Sequence, residues 1–258
     1  MSATPAALAS RLALLDATGV DADAQGPARK MGRQVVSQAF RDALGRHGSG
    51  PFHVLKRSLP CPGLRQPSGL WEALFAEDPN LTPLALERAW TDPRRFSLLG
   101  ITHTLSTPGP LRLLPDLAHA PLFGWDALIC TSRASRSAVQ ALFEQVEALW
   151  RCRGGQPAQR PQLPVIPLGV EAAAFAPVCP RREARLRLGL PRDAAVVLWT
   201  GRLELHCKAH HGASFRALAH AAAACPQRPW VLLMYGTAVM PSIPEALRQA
   251  ARECCPAV

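Results

Sequence analysis

Short, nearly continuous apolar runs alternate along this chain with stretches whose apolar residues recur at helical spacing, and together they outline its elements. Residues 8–15 (LASRLALL) fit a short strand or one helical turn, and a Gly-, Asp- and Ala-rich loop follows from Asp16 to Lys30. Val35, Val36, Ala39, Phe40, Ala43 and Leu44 recur at helical spacing, which predicts an amphipathic helix opened by Met31-Gly32-Arg33-Gln34. Phe52–Leu55 reads as a strand and 58–69 as a Pro- and Gly-rich loop. Residues 70–90 read as helical, interrupted by Pro79 and Pro83.

The pattern then becomes regular. Phe96–Thr104 is an apolar strand, broken by Pro108-Gly109-Pro110, and Leu111–His119 is a short helix. Trp125–Cys130 is a strand, and Ser132 is placed to cap a helix running to about Trp150. That helix is expected to bury Ala138, Leu142, Val146 and Leu149. Residues 153–161 read as loop and Leu163–Pro167 as a short strand. Several Pro and the cluster Arg181, Arg182, Arg185 and Arg187 then change the composition, and a boundary is placed between domains 1–178 and 179–258. The cluster reads as a solvated face partly offset by Glu183. Ala195–Thr200 and Trp230–Tyr235 follow as buried strands, with helices over Ser214–Cys225 and Glu245–Cys255.

Strand–helix alternation with nearly continuous apolar strands predicts an α/β fold of doubly wound parallel sheets. A sheet of two strands cannot cover its own edges, so the second domain reads as incomplete.

The chain has 258 residues, 29 basic and 19 acidic, for a net charge of +10. Only Lys30, Lys56 and Lys208 are lysines; the other basic residues are arginines spread along the chain. A GC-rich coding bias accounts for the paired abundance of Arg and Ala. With no zinc-finger, RNA-recognition or basic-zipper signature, nucleic acid is not an expected partner. The 48 % hydrophobic content excludes a disordered chain. Eight cysteines without a C-x-x-C pair, and no secretory signal, predict free thiols and a cytoplasmic location. No apolar run approaches the length of a membrane span, while peripheral contact with an anionic membrane stays open.

Ligands of doubly wound sheets bind beyond the carboxyl ends of strands, and three segments fall there. Thr200-Gly201-Arg202 leaves AVVLWT: Gly201 admits close backbone approach, and Arg202 offers a planar donor fork for phosphate. With Lys208 it could neutralise a diphosphate leaving group, or the two could be solvated cations on an ordinary turn. Thr102-His103-Thr104 ends the 96–104 strand, where His103 can hydrogen-bond a sugar hydroxyl or a backbone carbonyl. Gly32 lies in a turn opening a helix, a place that favours anions. His206, Cys207, His210 and His211 are metal-ligand types, but without a second pair they read as a loop flanking Lys208.

The stretches VIPLGVEAAAFAP (165–177) and ARLRLGLPRDAAVVLWTGRL (184–203), followed by Lys208, resemble the middle of retaining GT-B glycosyltransferases of group 1. WDALICTSRASRSAV (125–139) is similar to their strand–Ser–helix segment, and Met31–Gln34 stands where their first Gly-containing loop would be. The resemblance implies a GT-B-like pair of Rossmann-like domains: an acceptor-side domain (1–178) and a partial donor-side domain (179–258). It implies transfer of a sugar, with retention, from a nucleotide-sugar donor to a sugar or lipid acceptor, without cofactor or essential metal. Gly201, Arg202 and Lys208 would then hold the donor diphosphate, Gly32 would face the donor phosphates or the acceptor, and His103 would act near the transferred sugar.

Departures qualify this. Ala209 follows Lys208 where the family has Gly. Glu245 and Glu253 fit the family's E-x7-E spacing only by chance on an amphipathic helix. The nucleobase-binding part of the family is not recognisable, so catalysis by this chain itself is expected to be weak or absent. The alternative is a non-catalytic interaction protein on the same fold.

Overall fold

Five apolar runs of the first half pair side by side in one parallel sheet. They are β1 (Leu12–Asp16), β2 (His53–Lys56), β3 (Ala73–Ala76), β4 (Ser97–Ile101) and β5 (Ala127–Ile129), in the spatial order β2-β1-β3-β4-β5. This computed structural model describes residues 12–16, 32–48, 52–56, 72–105, 108–170, 172–204, 210–238 and 240–258. The chain forms two compact units, Met1–Val170 and Glu171–Val258. The boundary suggested by composition, 178/179, falls within the second.

In the first unit the alternation of strand side chains feeds two faces. Ala13, Leu15, Leu74, Leu98 and Leu128 meet Leu84 and Ala85 of α2 (Thr82–Thr91), Leu114 of α3 (Pro108–Leu117), and Val139 and Phe143 of α4 (Arg133–Cys152). Leu14, Phe75 and Ile101 meet Phe40 and Leu44 of α1 (Gly32–His47), and the Phe40 and Phe75 rings stack at 4.6 Å. Both faces are covered, as a doubly wound sheet requires. Beyond β5, an extended segment continues the parallel pairing, with bridges Ala127–Gln162 and Cys130–Val165.

The structure corrects the sequence in three places here. Residues 70–90 are not one interrupted helix: Ala73–Ala76 is β3, flanked by β1 and β4 at the centre of the sheet, and Pro83 stands in the first turn of α2. A four-residue apolar run carries no period that separates strand from helix. Pro108-Gly109-Pro110 begins α3 rather than ending a strand. Helix α4 buries Ser135, Val139, Phe143 and Glu147, one position along from the expected stripe. Its start is as anticipated: Ser132 Oγ accepts from Ser135 N, and Ser135 Oγ from Ser132 N, both at 3.0 Å.

Glu147 is tolerated on the buried face because Arg160 and Arg151 both donate to it. The Arg160 hydrogen bond holds its carboxyl below the usual range, against the opposing effect of burial. These pairs therefore add stability above the unfolded carboxyl value of about 4.3, and lose it as pH falls through the lower folded value. Urea unfolding at neutral pH and near pH 3 should show the parent chain losing more stability than Glu147→Gln. Equal losses would refute the assignment.

The deepest polar feature is the ion pair of Arg88 with Asp126, both wholly buried. Nη1 and Nη2 each reach a carboxylate oxygen at 2.7 Å, and also donate to the carbonyls of Phe96 and Pro121. Asp126 also accepts from Leu98 N at 2.7 Å and Phe123 N at 2.8 Å. Helix α2, strand β4 and the turn into β5 are thereby tied to one carboxylate.

The second unit holds α5 (Arg181–Arg187), β6 (Ala195–Thr200), α6 (His211–Ala224), β7 (Trp230–Tyr235) and α7 (Ile243–Cys254). Among the described residues its sheet has two parallel strands, with Ala195 beside Trp230 and Thr200 beside Tyr235. Trp199, Trp230, Leu232 and Met234 pack against Phe215 and Leu218 of α6 and Leu247 of α7. The strands are not buried as expected: on the opposite face Leu198 is 58 % and Tyr235 74 % exposed. The arginine cluster also needs correcting, since Arg185 is buried rather than solvated.

Candidate functional site

In the first unit the strand carboxyl ends gather around Glu77, just past β3. Its buried carboxylate accepts from Arg41 of α1, with Nε and Nη2 both at 3.4 Å. Its backbone oxygen lies 2.9 Å from Nε2 of His103, just past β4. A carbonyl only accepts, so Nε2 carries the proton. In the neutral ring, Nδ1 is then the acceptor, and His103 has no second partner among the described residues. Of the two roles open to His103 in the sequence, the backbone carbonyl is the one observed. Alongside, Thr131 N donates to Thr102 Oγ1 at 3.1 Å, joining the ends of β4 and β5. Gly32 is the first residue of α1.

Glu77 and Arg41 were not singled out in the sequence. Glu77 becomes conspicuous only once β3 is recognised, because a polar residue directly after an apolar strand stands on the ligand-binding rim.

In the second unit the rim is built where β6 and β7 end. Gly201 takes φ +149°, a backbone region open to glycine. Its N–H donates to Tyr235 O at 3.0 Å, and Leu203 N donates to Thr237 O at 2.8 Å, so pairing resumes after the kink. A Cβ on Gly236 would lie 1.6 Å from the Gly201 oxygen. Glycine at 236 is what lets the two segments cross so closely.

Arg202, projecting from this kink, is 44 % exposed at its side chain and pairs with the buried Glu204 carboxylate at 3.3 Å. Glu204 O in turn faces Nε2 of His211 at 3.2 Å, which fixes that proton also. His211, the first residue of α6, is buried edge-on to Trp199 at 4.7 Å. Its Nδ1 is buried with no partner among the described residues. His210 makes no side-chain cap, so among the described residues no side-chain oxygen caps the first α6 amides, of which Ala213 N donates to His210 O at 3.3 Å. An exposed guanidinium beside an uncapped helix start suits an anion. Lys208, with His206 and Cys207, lies outside the described residues.

Glu245 pairs with Arg248 at 2.9 Å, and Glu253 accepts from Gln249 at 3.0 Å, both on the exposed side of α7. Among the described residues no group of three or more His, Cys, Asp or Glu is arranged for a metal ion. The described cysteines Cys130, Cys152, Cys179, Cys225, Cys254 and Cys255 are free. No described helix is long and apolar enough to cross a membrane.

No protein-family model matches the chain. A curated relative, the D-inositol 3-phosphate glycosyltransferase of Kineococcus radiotolerans, is 50 % identical over 40 residues, 16 % of this chain and 9 % of the relative. Among solved structures, Anabaena HepE in complex with UDP matches with a TM-score of 0.56 and 18 % identity, over 95 % of this chain and 66 % of HepE. The HepE complex with UDP-glucose matches with a TM-score of 0.54 and 20 % identity, over 94 % and 65 %. The chain thus spans slightly less than two thirds of these structures. The expected resemblance stands at the level of fold: the chain is an α/β protein similar to the GT-B glycosyltransferase HepE.

Proposed function

We propose that this chain is a nucleotide-sugar-dependent glycosyltransferase, or the larger part of one. The observation that carries this is the β6 rim, where Arg202, kinked Gly201 and the uncapped start of α6 converge. It occurs in a fold shared with structures containing UDP and UDP-glucose. In this reading Arg202 and Lys208 neutralise the donor diphosphate, and Gly201 lets the backbone approach it. Gly32 faces the phosphates or the acceptor. His103, its Nε2–H fixed on Glu77, presents Nδ1 to a hydroxyl of the transferred sugar.

The reaction breaks the bond between the anomeric carbon and the diphosphate oxygen, and forms one to an acceptor hydroxyl on the same face. The acceptor proton passes to the departing phosphate. The acceptor is a sugar or a lipid hydroxyl, and no metal or cofactor takes part.

Calorimetric titration with UDP-glucose tests the donor site. We expect saturable binding in the millimolar range, weakened about tenfold by Arg202→Gln, with glucose alone not competing. No saturation, or affinity untouched by Arg202→Gln, would sink the reading.

The exposure of Leu198 and Tyr235 on the second sheet favours one other reading, a non-catalytic interaction protein. A defined oligomer in sedimentation, abolished by Leu198→Lys, together with no UDP-glucose binding, would establish it instead.

A further inference from the structure

At the opposite end of the β6–β7 sheet from the rim just described, a cleft of about 930 Å³ has arginine at five of its eight lining positions. Arg181 and Arg182 come from α5, Arg192 from the turn before β6, and Arg228 from the turn before β7. Those turns precede the strands, whereas Gly201 and Arg202 follow β6. The strand's length, about 20 Å at 3.3 Å per residue, separates the two places.

The walls are fixed by a buried guanidinium. Arg185 donates to the carbonyls of Pro191 (2.6 Å), Arg192 (3.0 Å) and Ala194 (3.0 Å), with no carboxylate partner among the described residues. Arg228 Nε donates to Asp193 O at 2.9 Å, drawing the second turn onto the first. The nearest helix acid, Glu183, is taken by Arg187 outside the cleft. Asp193 is the one acidic residue in the lining. Arg181, Arg182 and Arg192 are exposed, and among the described residues they make no ion pair.

This arrangement works against folding. Like charges crowd one opening, and Arg181 and Arg182 occupy the first turn of α5, where a cation opposes the helix dipole. Guanidinium forks held by rigid turns match phosphate oxygens two at a time. The volume exceeds what one phosphate needs and falls in the range of small-molecule sites. We infer that the second unit carries an additional anion site, distinct from the donor rim, for a ligand bearing two or more clustered phosphate groups. Leu186, 82 % exposed, gives the lining an apolar side. The ligand's source is a soluble phosphorylated metabolite or a phospholipid headgroup.

Calorimetric titration of the full chain with inorganic tripolyphosphate tests this. In the Arg202→Gln background, which removes the donor rim's contribution, we expect one saturable site on the cleft, weakened at least about tenfold by adding Arg182→Gln/Arg192→Gln. Arg181→Gln should weaken it less. Arg216→Gln on exposed α6, in the same background, should leave that binding unchanged. Sedimentation with phosphatidylcholine vesicles carrying about one tenth phosphatidylinositol bisphosphate, a headgroup with clustered phosphates, separates the sources. Vesicle binding lost in the same double variant marks a headgroup site, and tripolyphosphate binding without vesicle binding marks a soluble ligand. The proposal is overturned by absence of saturation. It is overturned equally if the double variant keeps that binding, or if Arg216→Gln weakens it as much, which would mean net charge alone.

Discussion

Asp126→Asn is expected to lower the stability of the chain by about 3–5 kcal/mol, the range for breaking a buried ion pair by removing one partner. Arg88 would stay wholly buried among carbonyls and aromatic rings, its centre 5.2 Å from the Phe123 ring, without a counter-charge. A guanidinium cannot shed its proton to escape that environment. The reverse change, Arg88→Met, should cost less. Asp126 would keep the amides of Leu98 and Phe123 as donors to its carboxylate. Replacing both residues should not restore stability, because the Phe96 and Pro121 carbonyls and those two amides would lose their partners. Urea unfolding of the three variants checks the order. A loss below about 1 kcal/mol for Asp126→Asn, the scale of an exposed pair, would show that the pair does not organise the first unit.

Gly236→Ala should damage the second unit and the donor rim together. The added Cβ would meet the Gly201 oxygen at 1.6 Å, and that oxygen belongs to backbone, which no side-chain rotation can move aside. Relief requires the segments to part, which strains the bonds of Gly201 N to Tyr235 O and Leu203 N to Thr237 O. Two such bonds are worth about 2 kcal/mol together, so a loss of at least that size is expected. Gly189→Ala is the control. It replaces a glycine at φ 65°, a backbone strain that Gly236 does not carry, but no atom lies within 4 Å of the new Cβ. Its cost should stay near 1 kcal/mol. Because Arg202 follows Gly201 directly, Gly236→Ala should also abolish the UDP-glucose binding that Gly189→Ala retains. Equal stability of the two alanine variants would show that the crossing is looser than described.

The sequence by itself determined the α/β class, most of the elements and the likeness to GT-B proteins. Those features are local: apolar runs set by period, a Ser132 cap made three residues away, and a Gly-Arg pair at the end of an apolar strand. Tertiary structure decided the rest, because it depends on distant partners. The run ALFA became the central strand β3 only because β1 and β4 flank it. With it came Glu77, whose carbonyl fixes the His103 proton across 26 residues of chain. Arg88 and Asp126 look like ordinary surface residues in the sequence, since their pairing spans 38 residues. The buried stripe of α4 shifted because Arg160, beyond the helix, neutralises Glu147. The apolar strands β6 and β7 stayed partly exposed for the same kind of reason. Hydrophobicity records what a strand can bury, and only the surrounding chain decides what covers it.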